Sequence, residues 1–139
     1  MIAQQLNSDA PIISILIADD HEVSRRGFRA ILESQPDLRV VDEASDGSEA
    51  IEKAKACLPG IVLMDLGMPK LNGMEATRRL REELPNAQVL ILTIHFSKEL
   101  LEEAVHVGAR GYLLKTEANN ELVNAIRCLC RHQVYFGPE

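Results

Sequence analysis

The stretch IVLMDLGMPKLNG, residues 61–73, runs four apolar residues straight into Asp65 and follows that carboxylate with Gly67, Pro69 and Gly73. Four apolar residues without alternation fit a short strand covered on both faces. The glycines and the proline after Asp65 end the strand. The carboxylate at its tip has two readings. Asp is common where strands turn, and it is also a reactive group when held at the edge of a sheet. Asp65 alone does not choose between them.

Similar runs recur on both sides: IISILIA (12–18), LRVVDEA (38–44), QVLILT (88–93) and GYLLK (111–115). Amphipathic stretches separate them. Residues 22–34 place Val23, Phe28, Ala30 and Ile31 among Arg and Glu. Residues 47–58 carry Ala50, Ile51, Ala54 and Cys57, with Asp46 and Glu49 at capping-box spacing. Residues 73–84 carry Met74, Thr77, Leu80 and Leu84 before Pro85. Residues 98–107 carry Leu100, Leu101, Ala104 and Val105 before Gly108. The last helix, 118–132, carries Leu122, Ala125, Ile126 and Leu129 at i, i+3, i+4 and i+7. A β-α unit repeated five times implies a parallel sheet with helices on both faces.

The 139 residues suffice for one domain with a core. A 46% apolar and 26% charged composition is that of a soluble globular protein. The net charge of −6 argues against gripping nucleic acid by its backbone. Cys57, Cys128 and Cys130 are an odd number without paired spacing, which fits reduced thiols in a cytoplasmic protein. No basic residue precedes Arg25, unlike a secretory signal, and APIISILIA is too short to span a bilayer. Residues 1–9 are expected to form a loose arm.

In a doubly wound sheet, ligands lie beyond the C-terminal strand ends. Strand one ends in Asp19 and Asp20, strand three in Asp65, strand four in Thr93 and strand five in Lys115. Singly, Asp20 reads as a helix cap, Thr93 as a β-branched strand residue and Lys115 as a solvated charge. Together they place three carboxylates, a hydroxyl and an amine at one edge. Three like charges a few ångströms apart repel. Lys115 supplies one compensating charge, and a hard dication such as Mg²⁺, held by carboxylates and waters, supplies the rest. A carboxylate beside such an ion suits phosphoryl transfer, with the carboxylate as nucleophile.

ADDHE (18–22), LMDLGMP (63–69), LT (92–93) and GYLLK (111–115) resemble the receiver domain of bacterial two-component response regulators, over about Ile12 to Val134. ILIADDHEVSRRGFRAIL and LTIHFSKE are similar to its NarL/FixJ group. The resemblance implies a flavodoxin-like, doubly wound five-stranded sheet of order 2-1-3-4-5 with five helices. It makes Asp65 the phosphoacceptor for a sensor histidine kinase, with Asp19, Asp20, Asp65 and the Gly67 backbone carbonyl holding Mg²⁺. Thr93 and Lys115 would touch the phosphoryl oxygens, and Tyr112 matches the switch aromatic, expected to swing from an outward to an inward rotamer on phosphorylation. Phosphorylation would remodel helix four, strand five and helix five, where a partner or a second copy docks. Gly67 and His95 would overhang the path of hydrolytic water. Thr116 stands where many receivers carry proline. A cis bond there would cost roughly 2.5–4 kcal/mol, so a trans bond is expected.

The implied organisation is a receiver over residues 10–133 and the start of a linker at 134–139, leading to a DNA-binding domain outside the chain. The alternative is a stand-alone receiver acting by protein contact. A phospho-aspartate hydrolase would need an acid/base group where Gly67 stands. A flavodoxin-like cofactor binder would need a phosphate-cradling loop where DDHE stands.

Overall fold

The computed structural model describes residues 11–137, so the arm expected over residues 1–9 lies outside the described residues. Five strands and five helices alternate: β1 (Ile13–Ala18), α1 (Glu22–Glu33), β2 (Leu38–Ala44), α2 (Gly47–Cys57), β3 (Ile61–Asp65), α3 (Gly73–Glu83), β4 (Gln88–Thr93), α4 (Lys98–His106), β5 (Gly111–Leu114) and α5 (Ala118–Cys130). A short 3-10 turn, Lys115–Glu117, joins β5 to α5. The sheet is parallel, in the order β2-β1-β3-β4-β5. That is the expected flavodoxin-like arrangement.

Burial follows from strand position. β3 is buried throughout and β4 nearly so, because each has a strand on both sides and helices on both faces. β2 lies at an edge and alternates more. Alternate residues of the central strands feed two cores. Ile15, Ile17, Leu63, Leu90 and Leu92 pack with Phe28 and Leu32 of α1 and with Leu122, Ile126 and Leu129 of α5. Leu16, Val62, Met64, Val89 and Ile91 pack with Ala50 and Ala54 of α2, Leu80 of α3 and Ala104 of α4.

Helix ends follow their caps. Asp46 accepts from the Glu49 N–H at 2.8 Å, while the Glu49 carboxylate accepts from the Ser45 N–H, one residue outside the usual reciprocal pair. Asn72 and Ser97 cap α3 and α4 in the same way. Gly108, at φ 103°, supplies the left-handed conformation that turns the chain away from α4. In α1 the apolar face differs from the expectation. Val23 is 84% exposed and Ala30 is exposed, while Phe28 and Leu32 are buried. Five residues separate Val23 from Phe28, about 140° around a helix of 3.6 residues per turn, so the two cannot share a face.

Beyond α5, Tyr135 runs beside β5. Its N–H donates to the Arg110 carbonyl at 3.0 Å and its carbonyl accepts from the Tyr112 N–H at 2.8 Å. Its ring is buried and its hydroxyl donates to Glu121.

The start of α3 is packed against the end of β3. A Cβ on Gly73 would lie 2.1 Å from the Asp65 carbonyl oxygen, whereas one on Gly67 would meet nothing within 4 Å. Gly73→Ala is expected to lower stability by roughly 1–3 kcal/mol or more, because backbone must move to admit the methyl group. Gly67→Ala should change it by less than about 0.5 kcal/mol. Urea midpoints for the two variants check both expectations.

Candidate functional site

Parallel strands deliver their C-terminal ends to one edge, and the polar residues gather there. Asp65 closes β3 and Thr93 closes β4, each buried. Asp19 and Asp20 follow β1 directly, and Asp19 is 1% exposed. Lys115 lies one residue past β5, at the start of the 3-10 turn rather than inside the strand as expected. Asp65, Thr93 and Lys115 line a crevice of about 380 Å³, together with His21, Gly67 and His95. Gly67 and His95 are both exposed at its mouth. The Lys115–Thr116 bond is trans, as expected.

The Lys115 ammonium ties the acidic groups together. Nζ donates to Asp19 Oδ2 at 2.7 Å and lies 3.2 Å from Asp65 Oδ1. Burial alone would lower the Lys115 pKa, but the Asp19 hydrogen bond and the charges of Asp65 and Asp19 outweigh it and raise it. The Asp65 carboxyl is raised above its ordinary value, chiefly by burial and next by the Asp19 charge. Lys115 offsets part of that rise, and Asp20 adds to it. Asp20 Oδ1 is buried without a hydrogen-bond partner.

An orphaned, buried carboxylate oxygen beside two further carboxylates is the donor set of a hard dication. Asp19, Asp20, His21 and Asp65 each offer one ligand atom, all within 4.8 Å of one another. The charges also match, since three carboxylates and one ammonium leave a deficit of two. The residues present therefore fit Mg²⁺.

Several contacts at the site have no clear signal in the sequence. Arg25, one of many charges on α1, donates Nη1 to the Asp19 carbonyl at 2.6 Å and Nε to Glu43 at 2.8 Å. Glu43 also pairs with Arg29, so the network fixes the backbone of the loop after β1. Glu43 sits below the usual carboxylate range: burial pushes it up, but its bonds to Arg29 and Arg25 prevail. His21 lies against both neighbouring aspartates. Tyr112 is buried and inward, not outward as expected of the unphosphorylated chain, because its hydroxyl donates to the His95 carbonyl at 3.2 Å and Phe96 packs on its ring. The His95 N–H in turn donates to the Thr93 hydroxyl at 3.3 Å, so one residue joins Thr93 to Tyr112. Phe96 meets the Tyr112 ring edge-on at 6.3 Å.

A doubly wound α/β domain with an acidic crevice at its switch point, bridged by one lysine, is built for phosphoryl chemistry on a carboxylate rather than for cofactor storage. Comparison with known proteins agrees. The family model for the response regulator receiver domain matches residues 15–127. The transcriptional regulatory protein DegU of Brevibacillus brevis is 37% identical over 98% of this chain and 57% of its own length. The oxygen regulatory protein NreC of Staphylococcus carnosus is 41% identical over 91% of this chain and 59% of its own. The chain thus spans a little over half the length of these curated relatives. Among solved structures, a LuxR-family two-component response regulator from Aurantimonas sp. SI85-9A1 matches with a TM-score of 0.88 and 36% identity, covering 91% of each chain. The signal receiver domain of the putative response regulator NarL from Mycobacterium tuberculosis matches with a TM-score of 0.85 and 31% identity, covering 89% of this chain and all of that one.

The chain belongs to the response regulator receiver domain family. As a receiver domain it is a phosphorylation-regulated signalling switch.

The raised carboxyl pKa of Asp65 predicts a pH-dependent penalty. The folded state holds the Asp65 proton more tightly than the unfolded chain does. The penalty is therefore absent below the unfolded carboxyl pKa and fully present above the folded one. With divalent ions chelated, Asp65→Asn is expected to raise the urea midpoint at pH 7. The gain should shrink toward pH 4, where the native carboxyl takes up its proton. Paired denaturation curves at the two pH values test the sign.

Proposed function

We propose that Asp65 is the phosphoacceptor for a sensor histidine kinase. The observation that carries this reading is the Lys115 ammonium lying between Asp19 and Asp65, with Asp20 Oδ1 left unpartnered beside them. A carboxylate oxygen of Asp65 attacks the phosphorus of a phosphohistidine. The new O–P bond makes an acyl phosphate, and the breaking P–N bond returns its electron pair to the imidazole. Asp19, Asp20, Asp65 and the Gly67 carbonyl would hold Mg²⁺. When bound, the ion neutralises charge on the phosphoryl oxygens. Lys115 and the Thr93 hydroxyl hold the remaining oxygens in place.

The phosphoryl group adds about −1.5 to −2 charge and three acceptor oxygens. Thr93 turns toward one of them and leaves the His95 N–H. Tyr112, hydrogen-bonded to the same residue, reads that change and biases the α4–β5–α5 face on which a partner or second copy docks. Residues 10–133 form the receiver, and 134–139 begin the link to a DNA-binding output domain. Through that domain the full cytoplasmic regulator controls transcription. The support for this last step is the pair of relatives named as a transcriptional and an oxygen regulatory protein, together with the LuxR-family structural neighbour. Among the described residues no helix is long and apolar enough to cross a membrane.

Incubation with acetyl phosphate and Mg²⁺ is expected to add one phosphoryl group, seen by intact-mass spectrometry, and Asp65→Asn should abolish it. Labelling of the Asn variant at wild-type level would overturn the assignment. Thr93→Ala should still be labelled, yet lose the shift of the Tyr112 ring signals that beryllofluoride produces in the wild type.

His95 lines the same crevice as Gly67. In this reading its ring shields the acyl phosphate from water. His95→Ala is expected to speed decay of phosphorylated Asp65 several-fold at fixed Mg²⁺. Slower decay would instead assign the imidazole to positioning the water.

A further inference from the structure

His21 follows the two aspartates and stands at the N-cap of α1, yet its imidazole makes no capping hydrogen bond. Its backbone N–H donates to Asp19 Oδ1 at 2.9 Å, which roots the side chain at the crevice mouth. Nδ1 lies 3.2 Å from Asp20 Oδ1 and 3.4 Å from Asp19 Oδ1. Neither contact is aligned as a hydrogen bond, and Asp20 Oδ1 is the same buried oxygen that lacks any donor. One nitrogen and two oxygens therefore crowd together without bonding one another. Asp65 brings a fourth ligand atom within 4.8 Å of the rest.

The spacing carries chemical information. Four ligands at about 2.0–2.1 Å around tetrahedral Zn²⁺ stand about 3.3–3.4 Å apart. Neighbouring oxygens around octahedral Mg²⁺, at about the same bond length, stand about 2.9 Å apart. The two His21 contacts, at 3.2 and 3.4 Å, are close to the tetrahedral edge, and the Asp65 atom, within 4.8 Å of the others, would draw in to complete the set. Lys115 occupies Asp19 Oδ2 and lies beside Asp65 Oδ1. An ion would therefore take the second oxygen of Asp65, and Asp19 Oδ1 through the lone pair that the His21 N–H does not use. Imidazole favours zinc, nickel and copper, whereas magnesium prefers an all-oxygen shell. His21 is largely exposed, so an ion reaches it from solvent.

We propose that the His21 Nδ1 atom is a metal ligand that turns the acidic crevice into a mixed nitrogen–oxygen site for a zinc-type dication. This rests on the reading of Asp19, Asp20 and Asp65 as a divalent-cation site. Zinc held by all four residues ties up a carboxylate oxygen of Asp65 and competes with magnesium for the crevice.

Isothermal titration of the metal-free wild-type chain with ZnCl₂, and separately with MgCl₂, tests the proposal. His21→Ala is expected to weaken Zn²⁺ binding at least tenfold and Mg²⁺ binding less than twofold. His21→Asn keeps a good N-cap residue, so it reports on ligation if the alanine variant is poorly folded, and it should show the same loss. His106→Ala, on α4, should change neither affinity. In the wild type the His21 ring ¹⁵N signals should shift with Zn²⁺ and not with Mg²⁺. Equal Zn²⁺ affinity in wild type and both His21 variants, with Mg²⁺ still bound, would overturn the ligand role and leave the carboxylate site standing. Failure of the wild type to bind Mg²⁺ would overturn the carboxylate site and the ligand role together.

Discussion

Lys115 is the group on which the crevice depends. Two buried carboxylates cannot both stay ionised at close range without a counter-charge, because desolvation and mutual repulsion each favour the neutral forms. The ammonium bridging Asp19 and Asp65 supplies that charge from the far end of the chain, 96 residues after Asp19. The whole sheet must therefore be assembled, in order, before the site exists. β1, β3, β4 and β5 are adjacent in the sheet, so the fold brings together residues that sequence distance keeps apart. The compensation is incomplete: Asp65 remains raised and Asp20 Oδ1 remains unpartnered. That residual imbalance is what makes the crevice receptive to a dication.

The fold was legible because burial on both faces leaves a simple signature. β3 and β4 read as uninterrupted apolar runs, and the amphipathic stretches between strands carry their caps in the sequence. The ends of β1, β3 and β4 were legible for the same reason, since a polar residue directly after a buried run has only the sheet edge to occupy. Other features left no such mark. Arg25 reads as one more charge on a solvated helix face, yet its side chain is only 17% exposed because Glu43 and the Asp19 carbonyl draw it inward. Val23 reads as a core residue, but its angle around α1 turns it to solvent. His21 draws no reading from the sequence because its partners are its own sequence neighbours, and adjacency hides the contact. Side-chain direction over one or two residues is set by the turn, not by periodicity.

The coupling between Thr93 and Tyr112 also depends on backbone that no pattern reveals. Both side chains bond to main-chain atoms of His95, the hydroxyl accepting from its N–H and the phenol donating to its carbonyl. A change in either bond is felt at the other through the backbone of one residue, whose N–H and carbonyl lie in consecutive peptide units. Phe96, 61% exposed, packs edge-on against the same ring, so a moving tyrosine alters an apolar surface directly.

What can move at Tyr112 is further limited by the sheet. Its backbone faces Ile91 of β4 on one side and donates to the Tyr135 carbonyl on the other. A backbone shift would break bonds to both neighbours, whereas rotation of the ring costs only the single phenol hydrogen bond and its packing. Any movement at this position that spares those backbone bonds is confined to the side-chain rotamer. Tyr135, clipped to β5 through Arg110 and Tyr112 and anchored to Glu121 by its hydroxyl, holds the chain that leaves α5 against the same strand. The residues that follow α5 and the Tyr112 ring beside the crevice therefore share one strand, and a rotamer change at Tyr112 would take place next to Tyr135.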